Sequence, residues 1–161
     1  MSAHFSPCRT WRYSLTRDVA SLTGKGTVTF VGLNPSTADE NEDDPTIRRC
    51  IGFARRWGYA RLKMVNLYAY RATDPKLLAS VLDPIGPDND YVLSVVFEGS
   101  DLIVAAWGAR AKFERVADVM GWPIHPRLCL GLTKSGAPRH PLYLRANTSL
   151  VPFSQEPPDE G

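Results

Sequence analysis

Apolar residues fall into four short runs, at residues 27–32, 61–67, 101–107 and 127–131, each rich in Val, Leu, Ile or Phe and each closed by Gly, Asn or a turn. Runs of that length predict buried strands. Between them the spacing changes to three and four residues. Asp44-Pro45 reads as an N-cap followed by proline at the first helical position, and Ile47, Cys50, Ile51, Ala54 and Trp57 line one face until Gly58 stops the helix. Asp74-Pro75 opens a shorter helix in the same way, Asp88 caps a third running to about Glu98, and a fourth over 109–120 places Phe113, Val116 and Met120 together.

Strands alternating with helices imply crossover connections. The fold class expected is therefore α/β: a three-layer αβα domain with a central four-stranded parallel sheet, covering residues 1–152, followed by a disordered acidic tail over 153–161. Ligands of such sheets collect where strands end at their carboxyl edge. The segments just past the four strands are GLNPSTAD, NLYAYRATDP, WGAR and LTKSGAPRHPLYL, and their polar content directs attention there.

Composition leaves this picture in place. The 161 residues are 43% hydrophobic and 22% charged, ordinary for a globular chain. No apolar run approaches the roughly 18–20 residues needed to span a bilayer, and MSAHFSPCRTWR lacks an apolar signal core. A cytoplasmic address, no membrane contact and a monomer with no obligate protein partner are expected. Cys8, Cys50 and Cys129 are far apart and odd in number, which argues against a disulfide framework. With no clustered His, Cys and carboxylate set either, no metal and no cofactor is expected. The net charge is +2, but the last eleven residues hold three acids and no base, which leaves residues 1–150 at +5. That surplus is compatible with an anionic partner.

Three positions carry candidate chemistry. Gly32-Leu33-Asn34-Pro35 follows the first strand: glycine admits close approach, proline holds Asn34 extended, and its amide can accept from a water and donate to a substrate. An Asx-type turn that merely ends the strand is the alternative. Asn66 ends the second strand beside Tyr68, Tyr70 and Arg71. Its amide offers one donor and one acceptor, matching a pyrimidine edge, or else it caps backbone groups while the tyrosines pack. His140 lies in Pro138-Arg139-His140-Pro141, a stiff turn in which Arg139 is expected to depress its protonation and attract phosphate; a surface histidine is the plain reading. In the acidic run before the first helix, Asp39 or Asp43 is a candidate base or cation ligand, against simple capping and solvation. Thr46, Arg48 and Arg49 are candidate phosphate contacts, with pairing of Arg48 and Arg49 to these acids as the alternative. No phosphate-binding loop, dinucleotide fingerprint or Gly-x-Ser-x-Gly elbow is present.

Gly-Leu-Asn-Pro, Val-Asn, Ile-Val-Ala-Ala-Trp-Gly and Arg-His-Pro-Leu, in that order, resemble the motifs of the uracil-DNA glycosylase superfamily. More closely, DDPTIRRC, RATDP, GPDND, AAWG and LTKSGAPRHPLYL resemble an uncharacterised bacterial and phage family, domain of unknown function 1643, over about residues 12–152. The first resemblance implies a glycosylase-like fold that hydrolyses the N-glycosidic bond of uracil or a modified pyrimidine, with DNA or a nucleotide as partner. It implies Asn34 and His140 as catalytic residues, Asn66 as reader of the base, and Gly32, Leu33, Pro35 and Arg139 as further substrate contacts, with Phe53 or Tyr68 as the stacking ring. The first motif lacks an acid, and Leu142-Tyr143 stand where a serine is usual. A non-catalytic nucleic-acid or nucleotide-binding module and a small-molecule nucleoside enzyme remain open.

Overall fold

The computed structural model describes residues 1–19 and 24–155. Among them are seven strands: β1 (Ser2–Phe5), β2 (Arg12–Asp18), β3 (Thr27–Gly32), β4 (Arg61–Asn66), β5 (Leu102–Ala105), β6 (Leu128–Cys129) and β7 (Val151–Pro152). They make one mixed sheet in the order β1-β2-β4-β3-β5-β6-β7. The neighbours β4, β3, β5 and β6 run parallel, while β2 joins β4, β1 joins β2 and β7 joins β6 antiparallel. The sheet is thus wider than the expected four strands, and it is mixed rather than purely parallel.

The extra strands escaped the apolar-run reading for a physical reason. In β2 the side chains of Arg12 and Arg17 are as buried as Tyr13 and Leu15, so the segment reads as polar. β1 is an edge strand that is half exposed throughout, and β7 is two residues long.

Alternation along the parallel strands feeds two cores. Val28, Phe30, Leu62, Met64, Val104 and Ala106 pack on one face with Ile47, Cys50, Phe53 and Ala54 of helix α1 (Pro45–Arg56). Val31, Val65, Ile103 and Ala105 pack on the other with α2 (Asn89–Glu98) and α3 (Phe113–Met120). Full burial of a side chain such as Ile47 or Phe53 contributes about 1.5–3 kcal/mol. The N-cap of α1 forms as expected: Asp44 Oδ1 accepts from the Ile47 N–H at 2.9 Å. Gly58, at φ +80, lies just beyond the helix C-cap. Pro75–Ser80 is a 3₁₀ helix whose Asp74 accepts from the Lys76 N–H.

Two expectations need correcting. Phe113 is half exposed, because α3 starts at Phe113 and not near residue 109, while Val116 is buried and Met120 packs against the core as expected, with Val119 and Arg115 buried as well. Phe153, assigned to the tail, is buried edge-on against Trp107 with ring centres 5.4 Å apart. The remaining tail expectation falls mainly on 156–161, outside the described residues. No helix of the described residues is long and apolar enough to cross a membrane.

Candidate functional site

All four parallel strands deliver their carboxyl ends to one edge of the sheet, and the antiparallel β2 begins at that same edge. A cleft of about 550 Å³ opens there. It is lined by Gly32, Leu33, Asn34 and Pro35 from the end of β3 and by Asn66 from the end of β4. Trp107 and Arg110 follow β5, His140 comes from the last long loop, Arg12 from β2, and Asp44 and Thr46 from the start of α1.

Asn66 is the centre of this arrangement. Its residue is 1% exposed, yet neither Nδ2 nor Oδ1 has a hydrogen-bond partner among the described residues. A buried amide left in that state costs about 1–3 kcal/mol. The backbone around it is firmly held: Asn89 Nδ2 donates to the carbonyls of Asn66 and Leu67, and Arg115 Nε donates to that of Leu67 at 2.8 Å. Gly32 lies opposite Asn66 in the β3–β4 register. A Cβ there would stand 2.7 Å from Asn66 Oδ1 and 2.6 Å from Met64 Cε, so the glycine makes room for the amide.

Asn34 behaves differently from the free amide expected. Its Nδ2 donates to the carbonyls of Ala72, at 2.8 Å, and Pro35, at 3.1 Å, stitching the loop after β3 to the loop after β4. Its donor is therefore committed, and Oδ1 is the atom left to accept.

The His140 side chain lies at the lip of the cleft. Its Nδ1 accepts from the Leu142 N–H at 3.1 Å, which places the proton of the neutral ring on Nε2. Partial desolvation against the cleft wall lowers its pKa, and Asp44 opposes that shift. Desolvation thus does what the sequence pattern ascribes to Arg139. Arg139 itself is not part of the cleft lining; its stem lies over Gly131, where a Cβ would be 3.2 Å from Arg139 Cδ.

Two further expectations fail on packing. Phe53 is 1% exposed and stacks on Trp57 with ring centres 5.3 Å apart, so it is a core residue. Tyr68 is buried on the α2–α3 face, its hydroxyl accepting from the Lys112 N–H. Neither ring lines the cleft. The carboxylates considered as bases are occupied as well. Asp43 pairs with Arg17 at 2.7 Å, and Asp39 Oδ1 accepts from the N–H groups of Asn41 and Glu42. Asp44 is the acid that does reach the cleft, with Oδ1 and Oδ2 accepting from Ile47 and Ala38.

Arg12 was missed altogether, because a buried arginine in a strand gives no periodic signal. It is 2% exposed and donates from Nη1 to the Ala38 carbonyl at 2.9 Å. Beside the cleft, and sharing Pro45 and Leu142 with it, runs a groove lined by Arg48, Arg49 and Arg56 and, among the described residues, by no acid. Among the described residues, no group of three or more His, Cys, Asp or Glu is placed to hold a metal ion.

No curated protein and no solved structure matches this chain. One family, described as "Protein of unknown function (DUF1643)", matches residues 12–142, from the first residue of β2 to the leucine that follows the His140 turn. The match contains Arg12, Gly32, Asn34, Asp44, Asn66 and His140 together. The chain belongs to that family.

Proposed function

We propose that the cleft receives a pyrimidine base, uracil or a modified form of it, and hydrolyses its N-glycosidic bond in a nucleotide or a nucleic-acid strand in the cytoplasm. The observation that carries this reading is the Asn66 amide, buried at the cleft with donor and acceptor both uncommitted. Oδ1 can accept from the N3–H of uracil while Nδ2 donates to O4, a pairing that recovers the desolvation cost of the buried amide. The order of the strand-end motifs, similar to that of the uracil-DNA glycosylases, supports a glycosylase-like fold and the same chemistry.

In this mechanism the bond between C1′ and the base nitrogen breaks with its electron pair going to the base. His140 donates from Nε2–H to the charge building on the base oxygen. Asn34 Oδ1 accepts from a water that attacks C1′, and the water's proton passes to solvent. The groove of Arg48, Arg49 and Arg56 gives flanking phosphates a place at the lip.

A second reading, a module that binds the base without cutting, is favoured by one observation. Asp39 and Asp43 are committed elsewhere, and both oxygens of Asp44 accept from backbone N–H groups, so among the described residues lining the cleft no carboxylate is free to activate the water. Abasic-site formation on uracil-containing single- and double-stranded oligonucleotides separates the two. Catalysis predicts release that falls about ten- to a thousandfold in Asn66→Ala and His140→Ala, the scale of losing one transition-state interaction. Retarded mobility of the oligonucleotide with every base left in place selects the binding module.

A further inference from the structure

Three arginines among the described residues are buried, and two of them meet a carboxylate. Arg17 Nε lies 2.7 Å from Asp43, and Arg115 Nη2 lies 2.8 Å from Asp90. Arg12, 2% exposed, makes no ion pair with a carboxylate among the described residues. Its Nη1 donates to the Ala38 carbonyl, and its Nε, fully buried, has no partner among them. A buried charge without a contacting counter-ion is costly, and folds normally pair it or neutralise it.

The carboxylate that most offsets the charge of Arg12 is Asp44, and the two make no ion pair. Asp44 has its oxygens on the Ile47 and Ala38 N–H groups, and residue 38 touches both charged groups, its carbonyl taking Arg12 and its N–H serving Asp44. Burial lowers the Arg12 pKa to about 10, which still leaves the guanidinium charged at neutral pH. It reaches the cleft because β2 runs antiparallel to β4, so its first residue lies at the edge where Asn66 ends β4. The Arg12 N–H donates to the Ala69 carbonyl there, fixing that position. Ser36, Thr37 and Thr46 line the same cleft, and their hydroxyls add donors of the kind a phosphate uses.

We propose that Arg12 is an anion-recognition residue of the cleft and that the ligand carries a phosphate against it, so that the site takes a nucleotide in preference to a free base or a nucleoside. This deepens the base-binding reading and depends on it for the base half of the ligand; the phosphate half stands on Arg12.

Calorimetric titration of the full chain with inorganic phosphate, uridine, uridine 5′-monophosphate and a short uracil-containing oligonucleotide tests it. The monophosphate should bind at least about tenfold more tightly than uridine, the scale of one charge-assisted hydrogen bond, and inorganic phosphate should compete with it. Arg12→Gln, which removes the charge and leaves a polar amide in place of the guanidinium, should reduce the monophosphate to the affinity of uridine. The comparison of uridine with its monophosphate needs no variant and holds even if Arg12→Gln fails to fold. Equal binding of the two overturns the role of Arg12 while leaving base recognition intact. Phosphate binding abolished in Arg12→Gln, with no binding of uridine, sustains Arg12 and overturns the base reading. An oligonucleotide that binds while the monophosphate and phosphate do not places the recognised phosphates outside the cleft and also overturns the proposal.

Discussion

Gly32 and Asn66 face each other across the parallel pair β3–β4, and the space where residue 32 has no Cβ is the space beside Asn66 Oδ1. A methyl group there meets Oδ1 at 2.7 Å and Met64 Cε at 2.6 Å. Both atoms are at the ends of side chains, so the fold can yield, at a cost of about 1–3 kcal/mol for an overpacked position. Gly32→Ala should lower the unfolding free energy by that amount and reduce affinity for a uracil nucleotide more strongly, because the displaced group is the one that reads the base. Denaturant titration alongside calorimetry gives both numbers; an affinity unchanged in a destabilised variant would separate Gly32 from the site.

Asn66 itself should show the opposite balance. Leucine has nearly the same shape and no polar atoms to leave unsatisfied, so Asn66→Leu should keep or raise the thermal midpoint while abolishing nucleotide binding. A residue there for packing or capping would lose stability on this change. Differential scanning calorimetry of the unliganded variant decides between the two.

The parallel strands and α1 were legible because their signals are local: branched apolar runs, an Asp-Pro cap, a terminal glycine. The positions of Asn34 and Asn66 at strand ends, and of His140 in the loop after the last parallel strand, were legible for the same reason. What periodicity does not encode is the company a side chain keeps. Phe53 and Tyr68 look in sequence like rings near a site, but helical spacing and strand direction turn them into the two cores. Arg12 looks like one more polar residue in an N-terminal segment, and its value comes only from the pairing of β2 with β4, a strand far along the chain.

The arginine groove should matter for strands and not for mononucleotides. Arg49→Ala combined with Arg56→Ala should weaken binding of a single-stranded oligonucleotide and lower the slope of log affinity against log salt by about 1.4, at roughly 0.7 for each phosphate no longer neutralised. Uridine 5′-monophosphate binding should be unchanged. A salt series on both ligands checks this, and equal losses would mean that the groove belongs to the cleft.

Cys8 is exposed between the hydroxyls of Ser6, at 3.5 Å, and Thr10, at 3.2 Å, which stabilise the thiolate and bring its pKa down to about 7. Burial pushes Cys50 and Cys129 the other way. Iodoacetamide on the native protein should label Cys8 alone, at a rate that rises as pH climbs through about 7. Peptide mass spectrometry after a timed quench identifies the site, and early labelling of Cys50 or Cys129 would contradict the packing described here.

His140 links pH to both stability and turnover. Its pKa in the fold is lowered from the ordinary 6.5, with desolvation as the main cause. The unfolded chain therefore binds a proton at a pH where the folded one does not, so acid favours unfolding. The contribution is fully present above about 6.5, declines as pH falls from there toward the lowered folded value, and levels off below it. Protonation also ends the acceptor role of Nδ1 toward the Leu142 N–H and so loosens the ring at the lip. Thermal midpoints of wild type measured from about pH 5 to 8, the range in which histidine titrates, should fall on the acid side by more than those of His140→Gln, which removes the titrating group and keeps a donor amide. Base release, if the neutral Nε2–H is the donor, should decline over the same window. A rate that rises on acidification would instead make the imidazolium the active form and overturn the role given to the neutral ring.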